Sequence, residues 1–310
     1  MKILIIGAGG VGGYYAAKLA RTGVDVVLLA RGKTLEVLRE QDLRVQSYQG
    51  DFSVRVPVID KIDKTLQPEC IVIAVKTYDT DTVLDQIKPV VGPKTTVLSL
   101  QNGVEKEEKI TKAFGRDHAL GAVCYIGAEM KDPGLVVHSA RGSVAFGEMN
   151  GRMTERLQEI AKIFRDAGID TATSLDIRKD LWIKLAWNAA FNQVCAVAHC
   201  SVGEALDKSL IEPMLGSVMK EVQAIARAKG ILLTDDDLAK SLEFSRKELK
   251  PVRPSMLQDL ERGRRMEQEA FGGYLAREGK TVGVSTPLND SLYRILSFWE
   301  KNPSSFSKKS

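Results

Sequence analysis

The chain has 310 residues, of which 44% are hydrophobic and 27% are charged, and its formal net charge is +4. This length is sufficient for two domains of ordinary size, and the composition is typical of a globular protein. The charge is modest, no basic block suggests a nucleic-acid partner, and the apolar runs stay below the ~18 residues of a membrane span, so neither nucleic acid nor membrane is expected as a partner.

The chain opens with the strand–turn–helix pattern of a dinucleotide-binding loop. The apolar run Ile3–Ile6 leads into Gly7-Ala8-Gly9-Gly10-Val11-Gly12, a GxGxxG sequence, and helical character follows. Gly7 permits a tight turn, Gly9 lets the backbone approach a pyrophosphate, and Gly12 lets the helix lie close to the strand. The start of the helix offers free N–H groups to the phosphates. Residues 7–12 are therefore predicted to bind a dinucleotide.

The end of the second predicted strand indicates which dinucleotide is bound. NAD sites usually place a carboxylate there for the ribose 2′-hydroxyl. Here the strand Val24–Ala30 runs into Arg31-Gly32-Lys33. Arg31 can hold a 2′-phosphate bidentately, whereas a carboxylate would repel that group. NADPH is therefore predicted in preference to NADH, with a solvated basic loop as the alternative interpretation.

Short β-rich runs alternate with helical runs in the rest of the first half. An inserted hairpin is predicted between Leu43 and Val58, and a helix at Glu105–Phe114. The later strands are predicted at Cys70–Val75, Thr95–Leu100, Ala119–Cys124, Leu135–His138 and Ser143–Gly147. Short apolar runs bounded by turn residues are typical of a parallel sheet covered on both faces.

The pattern becomes helical from Thr154 onward. An amphipathic helix at Glu155–Ala167 precedes a short extended link at Thr171–Ser174. The later helical candidates are Arg178–His199, Ile211–Lys229, Asp235–Lys250, Met256–Glu278 and a last helix from Pro287 to about Lys301. The predicted fold is α/β, with an N-terminal Rossmann-type doubly wound parallel sheet followed by an all-α C-terminal domain. The predicted domains span 1–170 and 175–303, and a polar tail follows at 304–310.

A polar stripe crosses the most apolar of the predicted helices. Lys184, Asn188 and Asn192 recur every four residues, so they are predicted to stack along one face. The apolar residues around them are Trp182, Ile183, Leu185, Trp187, Phe191 and Val194. A helix this apolar is expected to be buried on most sides, so the stripe should face an internal polar cleft. A solvated stripe on a surface helix is the alternative.

A lysine in such a cleft is suited to ketone reduction. Desolvation lowers the pKa of an ammonium group toward the working range, which makes Lys184 a candidate general acid. A cationic ammonium stabilises the developing alkoxide and then donates its proton. The two asparagines can orient hydroxyl and carboxylate groups without adding charge.

Further polar residues lie at strand ends and on a later helix. Lys76 follows one strand and Gln101-Asn102-Gly103 another, at the carboxyl ends where a doubly wound sheet binds ligands. Ser255 stands at a predicted helix start, where simple N-capping is the alternative to a ligand contact. Asp259 and Glu267 are two four-residue steps apart and are predicted to share a helix face.

The cysteines and histidines do not indicate metal or disulfide chemistry. The four cysteines form no CxxC pair and most have apolar neighbours, so buried thiols in a reducing cytoplasm are expected. The histidines His118, His138 and His199 are not clustered. No metal site is predicted.

Taken together, these motifs resemble the ketopantoate reductase (2-dehydropantoate 2-reductase) family over nearly the whole chain. The matching residues are the glycines of 7–12, Arg31, Val75-Lys76, Gln101-Asn102-Gly103, the stripe of Lys184, Asn188 and Asn192, and Ser255-Met256-Leu257-Gln258-Asp259 through Glu267. The resemblance implies NADPH-dependent reduction of 2-dehydropantoate to (R)-pantoate, a step toward pantothenate and coenzyme A.

The resemblance also implies a role for individual residues. Lys184 would be the proton donor, and Glu267 would be its active-site partner near the cofactor. Asn188, Asn192 and Ser255 would bind substrate. The implied cofactor contacts are Lys76, Asn102, Glu267 and a backbone contact near Ile126, and Asn102 would also touch substrate.

Two departures from the family pattern leave the substrate open. Some family members carry an additional asparagine where this chain has Val202, and a proline often stands where it has Gln193. One alternative is therefore the reduction of another branched or hydroxylated 2-oxo acid. A second is a non-catalytic NADP(H) sensor, which would need no proton donor such as Lys184. The expected partner is a small-molecule 2-oxo acid, and a homodimer is one open alternative for the assembly.

Overall fold

The computed structural model describes residues 1–207 and 209–302, so the polar tail predicted at 304–310 lies outside the described residues. The chain divides into two compact units. The first comprises residues 1–102 and 106–177, and the second comprises residues 103–105 and the described residues from 178 onward. The division falls between Ile177 and Arg178, a few residues beyond the link predicted at 171–174.

The first unit is built on a sheet of ten strands. The strands are β1 (Lys2–Ile6), β2 (Asp25–Leu29), β3 (Leu43–Ser47), β4 (Phe52–Val54), β5 (Val58–Ile59), β6 (Cys70–Ile73), β7 (Thr96–Ser99), β8 (Ala119–Asp132), β9 (Leu135–Gly147) and β10 (Thr171–Thr173). The helices in this part of the chain are α1 (Gly10–Ala20), α2 (Gly32–Glu40), α3 (Thr80–Ile87), α4 (Glu105–Phe114) and α5 (Glu155–Asp166).

Six neighbouring strands form the parallel half of the sheet, in the order β5-β2-β1-β6-β7-β8. Side chains alternate between two cores, with Ile3 and Ile5 of β1 on one face and Leu4 and Ile6 on the other. Helix α1 contributes Tyr15 to the first core, and α3 contributes Val83 to the second. The predicted doubly wound, Rossmann-type arrangement is therefore confirmed. The strand order reverses between β1 and β6, where such sheets bind ligands.

The other strands continue the sheet in mixed directions. Strands β8 and β9 pair antiparallel and contain 14 and 13 residues, much longer than the short runs predicted there. Their register shifts at several places, and Arg141 adopts a left-handed φ of +55°. These bulges join two runs that the sequence presents as separate strands. The predicted hairpin is confirmed as β3 and β4, and β3 also pairs with β9.

The segment predicted as an extended link, Thr171–Ser174, takes part in the sheet. Thr171–Thr173 forms β10, which pairs with β9 in parallel. Ile177 is fully buried and packs against Gly121 and Gly147. A Cβ at either glycine would lie within 3 Å of the Ile177 side chain. The first unit therefore extends beyond helix α5 and includes these residues.

Every regular element described beyond Ile177 is helical, as predicted. The helices are α6 (Ile177–Trp187), α7 (Gln193–Ala198), α8 (Val202–Asp207), α9 (Glu212–Ala228), α10 (Asp235–Glu248), α11 (Ser255–Glu261), α12 (Gly272–Val282) and α13 (Pro287–Lys301). A π-helical segment, Asn188–Asn192, joins α6 to α7. The predicted helix Arg178–His199 thus corresponds to α6 and α7 with a π turn between them. His199, with a φ of +50°, ends α7.

The predicted single helix at Met256–Glu278 is wrong. Helix α11 ends at Glu261, Gly263 adopts a φ of +62°, and a short 3₁₀ turn at Gln268–Ala270 precedes α12. A left-handed glycine commonly ends a helix because it meets no steric penalty there. Asp259 and Glu267 therefore do not share a helix face.

Candidate active site

The glycine loop between β1 and α1 has the shape expected of a dinucleotide cradle. Gly7 has a φ of +109°, and a Cβ on Gly12 would lie 2.0 Å from the Gly7 carbonyl oxygen. A Cβ on Gly9, by contrast, would meet nothing within 4 Å. Gly7 and Gly12 therefore shape the turn, while Gly9 leaves room for a ligand to approach the backbone.

The first turn of α1 faces the same place. The helix begins its hydrogen bonding with the Gly13 N–H, which donates to the Gly9 carbonyl at 2.8 Å. N–H groups in the first turn have no acceptor within an α-helix, so they suit an anionic ligand. Ala8 and Val11 are half-buried and pack on the core of the unit.

Gly10, predicted as a cofactor residue, has an evident packing role. A Cβ at this position would lie 2.3 Å from the carbonyl oxygen of Ala128 in β8. The backbone of α1 therefore lies directly against the backbone of β8. This requirement for glycine arises from a strand more than one hundred residues away, so the local motif does not reveal it.

The predicted 2′-phosphate ligand, Arg31, stands at the end of β2 as the N-cap residue of α2. Its Nη2 atom lies 3.2 Å from Oδ2 of Asp79, and its side chain is 90% exposed. Asp79 belongs to the short 3₁₀ turn that follows β6. The guanidinium is thus accessible, but a carboxylate is its partner in this structure.

Gln101 links the two strand ends that carry Lys76 and Asn102. Its Nε2 donates to the carbonyl of Lys76 at 3.2 Å and to the Thr80 hydroxyl at 2.9 Å. Its Oε1 accepts from the Ser99 hydroxyl at 2.8 Å. These hydrogen bonds fix the turn after β6 against the end of β7. The sequence identifies Gln101 as part of a motif, but it does not reveal this bridging role. Lys76 and Asn102 are both half-buried.

A buried ion pair supports the same edge of the sheet. The ammonium of Lys106 donates to the carbonyls of Ser99 at 2.9 Å and Ala122 at 3.0 Å and contacts the Glu107 carboxylate. Burial raises the pKa of Glu107, and the Lys106 charge opposes that shift. The Lys106 ammonium thus joins the end of β7 to the first part of β8. Farther along β8, Ile126 is half-buried beside one of the register shifts.

In the second unit, the π-helical segment brings three predicted site residues into contact. Nδ2 of Asn192 donates to Oδ1 of Asn188 at 2.9 Å. Oδ1 of Asn192 accepts from the Ser255 hydroxyl at 3.2 Å and from the Met256 N–H at 3.0 Å. Pro254 is the N-cap residue of α11, so Ser255 is its first helical residue and Asn192 supplies the cap.

The two asparagines of this cluster are deeply buried, Ser255 is exposed, and one amide donor is left available. Asn188 is 3% exposed and Asn192 is 2% exposed. Within the part of the chain that the structure describes, Nδ2 of Asn188 has no hydrogen-bond partner. Such orphaned groups are rare in folded proteins because each costs free energy, so this one indicates a place for a ligand acceptor.

Lys184 lies in the last turn of α6, one helical turn before Asn188, and is half-buried. Its helix neighbours Trp182, Leu185 and Ala186 are buried, as predicted for a helix that is not at the surface.

Glu267 lies in the irregular segment before the 3₁₀ turn and is 7% exposed. Glu300 of α13 holds this segment on both sides. Its carboxylate accepts from the N–H of Met266 and from Nε2 of Gln268, each at 2.7 Å. The position of Glu267 is therefore fixed by its neighbours along the chain.

Among residues 1–207 and 209–302, no three histidine, cysteine, aspartate or glutamate residues are grouped so that they could hold a metal ion. None of the described helices combines the length and the hydropathy that crossing a membrane requires. All four cysteines are buried.

Comparison with known proteins extends over both units. The model of ketopantoate reductase PanE/ApbA matches residues 3–151, and the model of its C-terminal domain matches residues 176–300. The chain belongs to the ketopantoate reductase PanE/ApbA family. It is accordingly an oxidoreductase, and the family is nicotinamide-dependent.

Relatives of this ketopantoate reductase family member match over nearly their full length. The 2-dehydropantoate 2-reductase of Nostoc sp. is 31% identical over 303 residues, covering 96% of this chain and 94% of the relative. That of Archaeoglobus fulgidus is 33% identical over 298 residues, covering 95% and 96%.

Solved structures show the same family fold. The PanE/ApbA family ketopantoate reductase from Ralstonia eutropha JMP134 has a TM-score of 0.89 at 32% identity and covers 98% of this chain and 100% of its own. A D-mandelate dehydrogenase solved with NADH and anilino(oxo)acetate has a TM-score of 0.91 at 23% identity, covering 98% and 99%, and shares the fold.

Proposed function

We propose that this protein reduces 2-dehydropantoate to (R)-pantoate with NADPH, a cytoplasmic step toward pantothenate and coenzyme A. The observation that carries the proposal is the pair of buried amides, Asn188 and Asn192, with the exposed Ser255 hydroxyl bonded to Asn192. The orphaned Nδ2 donor of Asn188 suits an oxygen-rich substrate. The names of the relatives at 31% and 33% identity support the same substrate.

The cofactor part of the proposal rests on Gly9 and Arg31. The open space at Gly9 suits a pyrophosphate, and Arg31 suits a 2′-phosphate once it exchanges its Asp79 partner for that group. Lys76, Asn102 and the backbone near Ile126 are the further proposed contacts. NADPH, when bound, supplies the hydride that the keto carbon of the substrate receives.

The protein's own residues handle the oxygen of the substrate. As the keto carbon is reduced, negative charge develops on its oxygen, and the Lys184 ammonium stabilises that charge and donates the proton. Solvent then returns a proton to the lysine. Asn188 donates to the substrate from Nδ2, Ser255 lies near the carboxylate, and Glu267 is the active-site partner that orients Lys184.

A second candidate is the reduction of another 2-oxo acid. Val202, at the start of α8, is fully buried and offers no hydrogen bond where some relatives carry asparagine. A substrate with fewer hydroxyl groups would lose less at such a position. The structural neighbour solved with NADH and anilino(oxo)acetate makes aromatic 2-oxo acids part of the test.

The test is the oxidation of NADPH, followed by its near-ultraviolet absorbance. The panel contains ketopantoate, 2-oxoisovalerate, a ketopantoate analogue without the hydroxyl group, and phenylglyoxylate, each with NADPH and with NADH. The highest kcat/KM with ketopantoate and NADPH is the expected result. A higher kcat/KM with another 2-oxo acid would support the second candidate function. No NADPH or NADH oxidation with any of the compounds would favour an NADP(H) sensor.

A further inference from the structure

A buried chain of polar side chains leads to the π-helical segment from the far side of the helical unit. It starts at Glu221 of α9, whose carboxylate accepts from the N–H groups of Leu288 at 2.9 Å and Asn289 at 3.0 Å. Nδ2 of Asn289 also donates to this carboxylate, at 2.8 Å. The carboxylate therefore caps the N-terminus of α13, where a negative charge is favoured.

Gln193 is the next member of the chain and reaches the π-helical segment itself. Its Nε2 donates to Oδ1 of Asn289 at 3.1 Å and to the carbonyl of Ala189 at 2.8 Å. Gln193 and Asn289 are both 0% exposed. Three elements, α9, α13 and α7, are thus connected to the segment through hydrogen bonds that are buried at Gln193 and partly buried at Glu221.

The contact with Ala189 ties the Gln193 side chain to the π turn. In an α-helix, the N–H of residue 193 would donate to the carbonyl of residue 189. Here the Gln193 N–H donates to the carbonyl of Ala190, and the Gln193 side chain donates to that of Ala189. Because the side chain donates to the carbonyl that the Gln193 N–H would bond in an α-helix, it stabilises the π turn.

The orientation of the Gln193 amide follows from its neighbours. A carboxylate only accepts hydrogen bonds, so Glu221 fixes Nδ2 of Asn289 toward itself and Oδ1 toward Gln193. Gln193 must then present its nitrogen. Its Oε1 has no donor among residues 1–207 and 209–302. A Cβ on Gly272 would lie 2.3 Å from that oxygen, so the start of α12 leaves the space that the amide occupies.

We propose that Gln193 is a positioning residue for substrate binding. It fixes the π turn whose first and last residues, Asn188 and Asn192, form the amide cluster, so that the orphaned Asn188 donor meets the substrate at a fixed place. This inference rests on the proposed function, since it assigns a purpose to the same cluster. The side chain of Gln193 acts through Ala189 and does not itself contact substrate.

The experiment compares Gln193→Met with a matched control, Gln223→Met. Gln223 is 3% exposed, and its Nε2 also donates twice, to the Leu233 carbonyl at 3.1 Å and to Asp235 at 2.7 Å, two groups that take no part in the polar chain to the π turn. Both variants keep the side-chain length and lose the donor. The measurements are kcat and KM for the preferred 2-oxo acid, the Kd of NADPH, and hydrogen exchange over residues 184–198.

In Gln193→Met, KM is expected to rise about tenfold with kcat changed less than threefold, and exchange over the π segment should accelerate. The NADPH Kd should stay within twofold, because the glycine loop belongs to the first unit. Gln223→Met should lose stability to a similar extent with KM unchanged. This division between KM and kcat is what loss of substrate positioning predicts and what a general loss of packing does not.

Four results would overturn the inference. In an active enzyme, an unchanged KM in Gln193→Met, or an equal rise in Gln223→Met, would leave Gln193 with a structural role only. If Gln193→Met does not fold, hydrogen exchange of the Gln193 side-chain amide is measured in the unaltered protein instead. Exchange as rapid as that of an exposed glutamine would contradict the hydrogen bond from Gln193 to the Ala189 carbonyl. An unaltered protein that reduces no 2-oxo acid would instead overturn the proposed function, and the inference with it.

Discussion

The two units present their proposed ligand groups in different ways. In the first unit, the cradle is mainly backbone: the turn at Gly7, the open approach at Gly9 and the first turn of α1. In the second unit, the groups are side chains, held by one another, as Asn192 holds Asn188 and Gln193 holds the turn beneath both. Backbone geometry is encoded locally by glycines, whereas the amide cluster depends on helices far apart in the sequence.

The largest expected effect separates chemistry from cofactor binding. Lys184→Ala should lower kcat by about a thousandfold, because it removes both the charge that stabilises the alkoxide and the proton donor. The NADPH Kd should remain unchanged. Lys179→Ala is the control, since Lys179 is on the same helix but pairs with Asp237 at 2.9 Å. Fluorescence titration and steady-state kinetics measure the two quantities. A collapse of NADPH affinity in Lys184→Ala would show that the lysine serves the cofactor instead.

Two glycine substitutions in the first unit should have opposite consequences. Gly9→Ala places a methyl group in open space, so the melting temperature should hold while the NADPH Kd rises about a hundredfold. Gly12→Ala places a methyl group 2.0 Å from the Gly7 carbonyl oxygen, which should destabilise the fold by about 3 kcal/mol or more. Thermal unfolding and NADPH titration of both variants distinguish the roles. Equal NADPH affinity in Gly9→Ala and the unaltered protein would contradict the cradle.

The charges at the end of β2 should set the preference between NADPH and NADH. Arg31→Ala should weaken NADPH by about 10- to 100-fold, the range expected for losing a charged hydrogen bond, and leave NADH nearly unaffected. Asp79→Asn should act in the opposite direction, because it removes both the competing partner of Arg31 and a charge that repels phosphate. Titrations of each variant with both cofactors measure this. Equal losses for NADPH and NADH in Arg31→Ala would remove the 2′-phosphate assignment.

The smallest expected effect concerns stability rather than binding. His138 is 1% exposed on β9, with Ser47 and the Arg141 carbonyl as hydrogen-bond partners. Burial lowers its pKa below the usual 6.5. The unfolded chain therefore binds a proton near pH 6 more readily than the folded one, so this residue favours folding above pH 6.5 and loses that contribution as the pH falls toward its folded value.

Urea unfolding between pH 5 and 7.5 measures this contribution. The free energy of unfolding of His138→Phe should vary less steeply with pH than that of the unaltered protein. Identical slopes for His138→Phe and the unaltered protein would contradict the assignment.

The sequence predicts the parallel half of the sheet and the helical second half because their patterns are local and strong. The run Ile3–Ile6 and the glycines after it need no distant partner to be recognised. The stripe of Lys184, Asn188 and Asn192 is visible because its residues lie close together in the chain, and its burial follows from the apolar residues around it.

Long-range contacts explain what the sequence does not reveal. The requirement for Gly10 comes from Ala128, and the polar chain to the π turn runs through Asn289 and Glu221. The bulges between β8 and β9, at Tyr125/Ile126, Gly127/Ala128 and Met130/Asp132, shift the alternation by which a continuous strand would be recognised. The sequence does not reveal the end of α11 after Glu261, although Gly263 stands there. The charged residues around that glycine have good helix propensity and favour a continuous helix.

The short strand β10 has a practical consequence for separate production of the first unit. A fragment ending at residue 170 would uncover one side of β9 along Val144–Phe146 and remove Ile177 from its place against Gly121 and Gly147. An unpaired strand of this kind promotes edge-to-edge aggregation. A fragment ending after Ile177 would keep both the β10 pairing and the Ile177 contacts. The fragment ending at residue 170 is therefore the one that should precipitate on purification.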